Sequence, residues 1–138
     1  MNNRFLVIFM IFLICFTLAG CAVQPEPGTS EEFKYTLYIG LNDKDTYTQL
    51  LSTEEAENKA SNIVLKHVDG FTRFLGKGAY QDEKGIVTYE NSLVFEIYAA
   101  TEDQIKAIMD ELLQELNQSS ILVERERVNC QFYEGTKP

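Results

Sequence analysis

Two tetrapeptides constrain the fold of this chain more than anything else in it. Ser52-Thr53-Glu54-Glu55 and Thr101-Glu102-Asp103-Gln104 both have the form of a capping box. In that motif a hydroxyl and an acid or amide side chain three residues later satisfy each other's orphan backbone amides. Each tetrapeptide therefore starts a helix. Behind the first, Ala56, Ala60, Ile63, Val64, His67 and Val68 fall on one stripe, and behind the second Ile105, Ile108, Met109, Leu112 and Leu116 do the same. A helix with a single apolar stripe buries that stripe and leaves the rest wet. Asp69-Gly70 is expected to stop the first helix, with Gly70 as a left-handed cap, and Asn117 to Ser120 the second.

The segments between supply the surface that both stripes need. In Phe33 to Leu41, residues Phe33, Tyr35, Leu37, Ile39 and Leu41 share one face, while Lys34, Thr36, Tyr38 and Gly40 share the other. That alternation marks a half-buried strand. Phe71 to Tyr80 reads as a second strand, loosened by Gly76 and Gly78, and Gln81 to Gly85 as a turn. Ile86 to Ala99 reads as the third, with Leu93, Phe95 and Ile97 facing one way and Val94, Glu96 and Tyr98 the other. Ile121 to Tyr133 reads as the last, with Val128, Cys130 and Phe132 on the expected core side. The order predicts an α+β fold, a ferredoxin-like β-α-β-β-α-β sandwich whose four-stranded antiparallel sheet carries both helices on one face.

Such a sandwich leaves one sheet face bare. The alternation places Lys34, Thr36 and Tyr38 there from the first strand, Val94, Glu96 and Tyr98 from the third, and Arg125, Arg127, Asn129 and Gln131 from the last. Glu124-Arg125-Glu126-Arg127 puts its Arg pair on one face and its Glu pair on the other, unless a bulge near Glu124 reassigns them. The candidate interaction surface is accordingly Tyr38, Glu96, Tyr98, Arg125 and Arg127. Tyr and Arg are enriched at interfaces, which suits a homodimer or a ligand platform. The plainer reading is a half-exposed sheet with cross-strand charge pairs.

Met1 to Arg4 is a short polar start, and Phe5 to Ala19 is almost wholly apolar. These are the n-region and h-region of a secretory signal, too short for the ~20 residues of a comfortable membrane span. Leu18-Ala19-Gly20-Cys21 at its end resembles the lipobox of bacterial lipoproteins. The resemblance implies a signal peptide over 1–20, cleavage before Cys21, a diacylglyceryl thioether on its sulfur and, in many bacteria, acylation of the new N-terminus. One acyl chain holds a protein marginally and two or three hold it stably, at ~0.8 kcal/mol per buried CH₂. Residues 21–32 read as the lipidated Cys and a disordered spacer, since Gln24 to Glu32 has no apolar side chain to bury. Residues 33–135 read as one α+β domain. The expected location is the cell envelope, outside the cytoplasmic membrane and anchored to it by lipid.

The formal net charge is −9, and the leader carries only the positive Arg4, so the mature chain is more acidic still. Nothing in that balance favours nucleic acid or a flat approach to anionic lipid. Cys15 leaves with the leader and Cys21 is assigned to lipid, so Cys130 is the one thiol of the mature domain. No intramolecular disulfide is then possible, and one His with one Cys cannot build a Cys/His zinc site. No cofactor is expected.

His67 lies on an apolar stripe near a helix end, where packing and the helix dipole account for it, and no acid or nucleophile is tied to it by spacing. Cys130 reads as a buried, inert strand residue. Gly76-Lys77-Gly78 lacks the Gly-Lys-Ser/Thr ending of a P-loop. Its two glycines would let a ligand approach the backbone, or mark a kinked strand before a solvated turn.

Tyr-Thr-Leu-Tyr-Ile-Gly-Leu (35–41), Leu-Ser-Thr-Glu-Glu (51–55), Asp-Gly-Phe-Thr (69–72), the Gly-Lys-Gly-Ala-Tyr…Asp-Glu-Lys-Gly hairpin and Glu90-Asn91-Ser92 follow one another in this order. Together they resemble a family of small exported bacterial proteins, domain-of-unknown-function family 3574, in which an aromatic residue, often Trp, stands at the position of Tyr80. The resemblance implies the domain and its export, and brings no catalytic residues. The expected function is a non-catalytic binding or interaction module at the cell envelope. A small-ligand sensor or carrier using the open face is the alternative, and a small ferredoxin-like enzyme, needing Tyr38, Tyr98 and His67 to converge, a third.

Overall fold

The computed structural model describes residues 30–81 and 83–135. The leader, Cys21 and most of the expected spacer lie outside the described residues. The elements run β1 (Ser30–Gly40), α1 (Thr53–Leu65), β2 (Thr72–Gln81), β3 (Val87–Tyr98), α2 (Glu102–Glu115) and β4 (Leu122–Cys130). The strand β1 starts earlier than expected: Ser30 to Glu32, assigned to the spacer, pair with Cys130 to Val128 of β4.

Both capping boxes form. The Ser52 hydroxyl accepts from the Glu55 amide at 3.2 Å while the Glu55 carboxylate accepts from the Ser52 amide at 2.9 Å. Thr101 and Gln104 repeat the arrangement at 3.2 and 2.9 Å. The helix α1 ends sooner than its stripe does, with Lys66 as the cap, and Gly70 does not take a left-handed conformation; Gly85 and Gly135 do. The exit is closed by other means. The amides of Lys66 and His67 turn back onto Ile63 and Val64, and the side chain of Gln104, in the first turn of α2, donates to the His67 carbonyl at 2.6 Å. A tertiary hydrogen bond thus does the work expected of a glycine cap.

The sheet is antiparallel throughout with strand order β2-β3-β1-β4, and the fold is the α+β ferredoxin-like sandwich. Tyr35, Leu37 and Ile39 of β1 and Leu93, Phe95 and Ile97 of β3 face the helices and are buried. Against them pack Ala56, Ala60, Ile63 and Val64 of α1, and Ile105, Ile108, Leu112 and Leu116 from α2 and its cap. The ring of Phe71 meets that of Phe95 edge-on at 4.9 Å. The core thus occupies the space between sheet and helices that an enclosed active site would need.

The last strand departs from expectation. Arg125 pairs with Tyr35 and Arg127 with Phe33, so both arginines stand on the helix side of the sheet, and Glu124 and Glu126 stand on the open face. Val128 and Cys130 share that open-face parity, and Cys130 is half-buried rather than enclosed in the core. Apolar alternation misleads here because β4 is an edge strand, exposed along most of its length. Charge sets the face instead. The Arg125 guanidinium lies 3.6 Å from the Phe33 ring centroid and pairs with Glu102, at the start of α2, at 2.6 Å. Lys34 pairs with Glu126 at 2.7 Å on the opposite face.

Candidate functional site

The register aligns the open face in rows that cross the sheet. One row is apolar from edge to edge: Phe74 of β2, Val94 of β3, Tyr38 of β1 and Leu122 of β4. Phe74 and Leu122 remain 51% and 62% exposed because no helix covers this side. The next row towards the α1–β2 end is polar, with Thr72, Glu96, Thr36 and Glu124; Thr36 is buried among its neighbours. The row on the other side is built of small residues: Gly76, Ser92 and Gly40. Of the expected interaction surface, Tyr38, Glu96 and Tyr98 share this face, whereas Arg125 and Arg127 are on the other. Cys21 lies outside the described residues.

The charges of this face are mostly negative. Glu90, Glu96, Glu124 and Glu126 stand on it with the ammonium of Lys34. The Tyr38 hydroxyl donates to the Glu124 carboxylate at 3.0 Å, which pushes the Tyr38 hydroxyl pKa up and holds the ring in place. The Glu126 carboxylate likewise holds the Lys34 ammonium in its charged form to higher pH.

Among the described residues, two clefts of similar size border the face. One, of about 510 Å³, lies at the α1–β2 end between His67, Asp69, Phe71, Tyr98 and Phe132. His67 and Tyr98 do meet there, but Tyr38 does not. The His67 Nε2 is engaged with Glu111 at 2.7 Å, and that carboxylate also takes the Lys66 ammonium at 2.6 Å, which lowers the Glu111 pKa. Phe132, expected in the core, is 82% exposed beyond the end of β4.

The other cleft, of about 490 Å³, lies over the small-residue row. Tyr38 and Leu122 wall it on one side, Tyr80 and Glu90 of the β2–β3 hairpin on another, and Tyr47 of the β1–α1 loop closes it. The loop is held by its own hydrogen bonds. Asp43 Oδ1 accepts from the amides of Asp45 and Thr46, each at 3.0 Å, and Asn117 donates to Asp43 and Asp45 at 2.7 and 2.8 Å. Tyr47 takes a left-handed φ of 57° in this turn. Among the described residues no three His, Cys, Asp or Glu side chains gather to hold a metal ion.

The Asn117 side chain, followed by the Thr46 amide, holds the Asp43 carboxyl below its ordinary value of 3.8. A lowered carboxylate contributes stability above its unfolded pKa and loses it as the pH falls through its folded one. Asp43→Asn is therefore expected to lower the urea midpoint at neutral pH and to shrink the drop between about pH 7 and pH 2. An acid limb as steep in the variant as in the parent would place the titration elsewhere.

With this geometry in view, the family follows from residues 34–132, which match the model of the protein family of unknown function DUF3574. The chain belongs to the DUF3574 family. The matched span of this DUF3574 domain takes in β2, β3, β4 and all of β1 but its first four residues. No curated protein matches the chain. Among solved structures it is similar to a phage SAM lyase in complex with S-methyl-5'-thioadenosine, at 19% identity over 83% of this chain and 100% of that one, with a TM-score of 0.54. The same lyase in its apo state gives 19% identity over 81% and 98%, with a TM-score of 0.56. At that identity the likeness extends to the fold. The B. subtilis GlnK-ATP complex is more distant, with 17% identity over 70% and 82% and a TM-score of 0.42.

Sequence reasoning named Tyr38 and the glycine hairpin without joining them, and gave no role to Phe74, Leu122 or Tyr47. The alternation of β1 and β3 carried Tyr38 and Val94. Phe74 and Leu122 enter the same row only through the interstrand register, which no single segment encodes.

Proposed function

We propose that this protein is a membrane-tethered binding domain that takes a small ligand on its open sheet face. The supporting observation is the cleft of about 490 Å³ where the apolar row meets the small-residue row. Its size is that of ligand pockets in general, which combine apolar walls with a few polar groups. Charge favours a ligand over a second copy of the chain. Two such faces brought together would set Glu90, Glu96 and Glu124 of one against those of the other, and like charges at an interface cost affinity. The apolar leader and Leu18-Ala19-Gly20-Cys21 support the lipid tether on Cys21.

Thermal shifts of the detergent-solubilised full-length protein with small cations, neutral metabolites and anions test the ligand. A ligand that binds the folded state must raise its stability, and the uncharged replacement Leu122→Asn, which removes the apolar contact, is expected to reduce the shift. A flat response, or a dimer in analytical ultracentrifugation that Leu122→Glu dissociates, would turn the reading towards self-association. For the tether, Cys21→Ser is expected to move the protein from the membrane pellet to the soluble fraction.

A further inference from the structure

We infer that the cleft bounded by Tyr38, Tyr47, Tyr80 and Leu122 is a site for a small organic cation, whose charge rests on the Glu90 carboxylate and whose apolar body lies against Leu122. The inference rests on the open-face reading and names the ligand class and the residues that select it.

Glu90 carries the argument. It stands on the open face of β3 opposite Gly78 and lines the cleft, where it is half-buried. Among the described residues no donor or cation pairs with its carboxylate, whereas Glu124 and Glu126, several rows away on the same face, are both engaged. A carboxylate drawn partly out of water without a partner is unfavourable, and a bound cation relieves that cost.

The backbone makes room for this placement. The Glu90 side chain leans across the sheet, and its carboxylate occupies the space that a side chain at position 40 would fill. A Cβ built on Gly40 would overlap that carboxylate, while one on Gly78 would stand 3.5 Å from the Ser92 hydroxyl and 3.9 Å from the Glu90 Cγ. Gly40 has no positive φ, so its turn-forming freedom is not what the site uses. Its use is the missing side chain.

The walls suit a cation as well. Tyr38, Tyr47 and Tyr80 arrive from three different elements, and aromatic faces attract cations through the ring quadrupole. Asp43 and Lys44 also line the cleft, but the Asp43 carboxylate is already occupied by the Asn117 side chain and the Thr46 amide, and Lys44 is exposed. Glu90 is the carboxylate left uncommitted. Leu122, 62% exposed, offers the apolar contact.

Phenethylammonium and phenethyl alcohol share an aromatic body and differ in charge, so they separate the cation from the face. Titrated into the full-length protein in a nonionic detergent and followed by NMR, the ammonium is expected to shift the ring resonances of Tyr38, Tyr47 and Tyr80. It should bind about tenfold more tightly than the alcohol. Glu90→Gln should remove that preference. Gly40→Ala, whose Cβ evicts a flexible carboxylate and leaves the core untouched, should weaken the ammonium without lowering Tm. Gly70→Ala, with nothing within 4 Å of the new Cβ, is the control and should bind as the parent does. Equal binding of the two probes, or a preference that survives Glu90→Gln, would overturn the cation assignment and leave the open-face reading standing. Binding of neither probe, or binding that moves none of the three tyrosines, would overturn the site itself.

Discussion

Phe95→Ala is expected to cost the domain about 3–5 kcal/mol, the usual loss for an aromatic truncated inside a core. Phe95 lies at the centre of β3, is fully buried, and stands between Leu37 of β1 and Arg73 of β2 in the register. Its ring also takes the edge of Phe71, 4.9 Å away, which closes the core where the chain enters β2. Removing the ring leaves a cavity under both helices, because the antiparallel backbone on either side holds its neighbours in place. Domains of this size have only about 5–15 kcal/mol to lose. Urea unfolding should show the midpoint falling by a large fraction with the slope unchanged. A loss below about 1 kcal/mol would mean that the core collapses to fill the space.

Arg73→Ala acts on a different bond of the structure and should cost about 1–2 kcal/mol, the range of charge-assisted hydrogen bonds discounted for partial exposure. Arg73 is the helix-face residue by which the edge strand β2 holds the helix layer. Its guanidinium donates to the Glu57 carboxylate at 3.0 Å and to the Ser61 hydroxyl at 2.8 Å, both on α1. The next residue of β2 on that face, Leu75, is 61% exposed and packs against little. The variant should therefore lose amide-exchange protection in β2 before the rest of the sheet. Arg73→Lys should recover only part of the loss, since an ammonium cannot reproduce the planar fork. Uniform loss of protection across all four strands would show that β2 is held by the sheet alone.

The elements themselves were legible because their signals are local. A capping box is complete within four residues, and the stripes Ala56–Ala60–Ile63–Val64 and Ile105–Ile108–Leu112–Leu116 are complete within one helix each. The faces of β1 and β3 were legible for the same reason: both strands lie at the centre of the sheet with helices over one side, so burial enforces the alternation. β4 was not, because it is an edge strand exposed along most of its length and its apolar residues report nothing about the core. The same holds for the exit of α1, which Gln104 closes from elsewhere in the chain.

Local chemistry alone was enough to dictate the α+β order, the two helix starts, the core faces of the central strands and the placement of Tyr38, Glu96 and Tyr98 on one bare face. Those features depend on contacts between residues a few positions apart or on strict burial. The face taken by Arg125 and Arg127, the row of Phe74, Val94, Tyr38 and Leu122, and the meeting of Glu90 with Gly40 had to wait for strand pairing. Each is a relation between strands, and one residue of register turns a side chain to the opposite face.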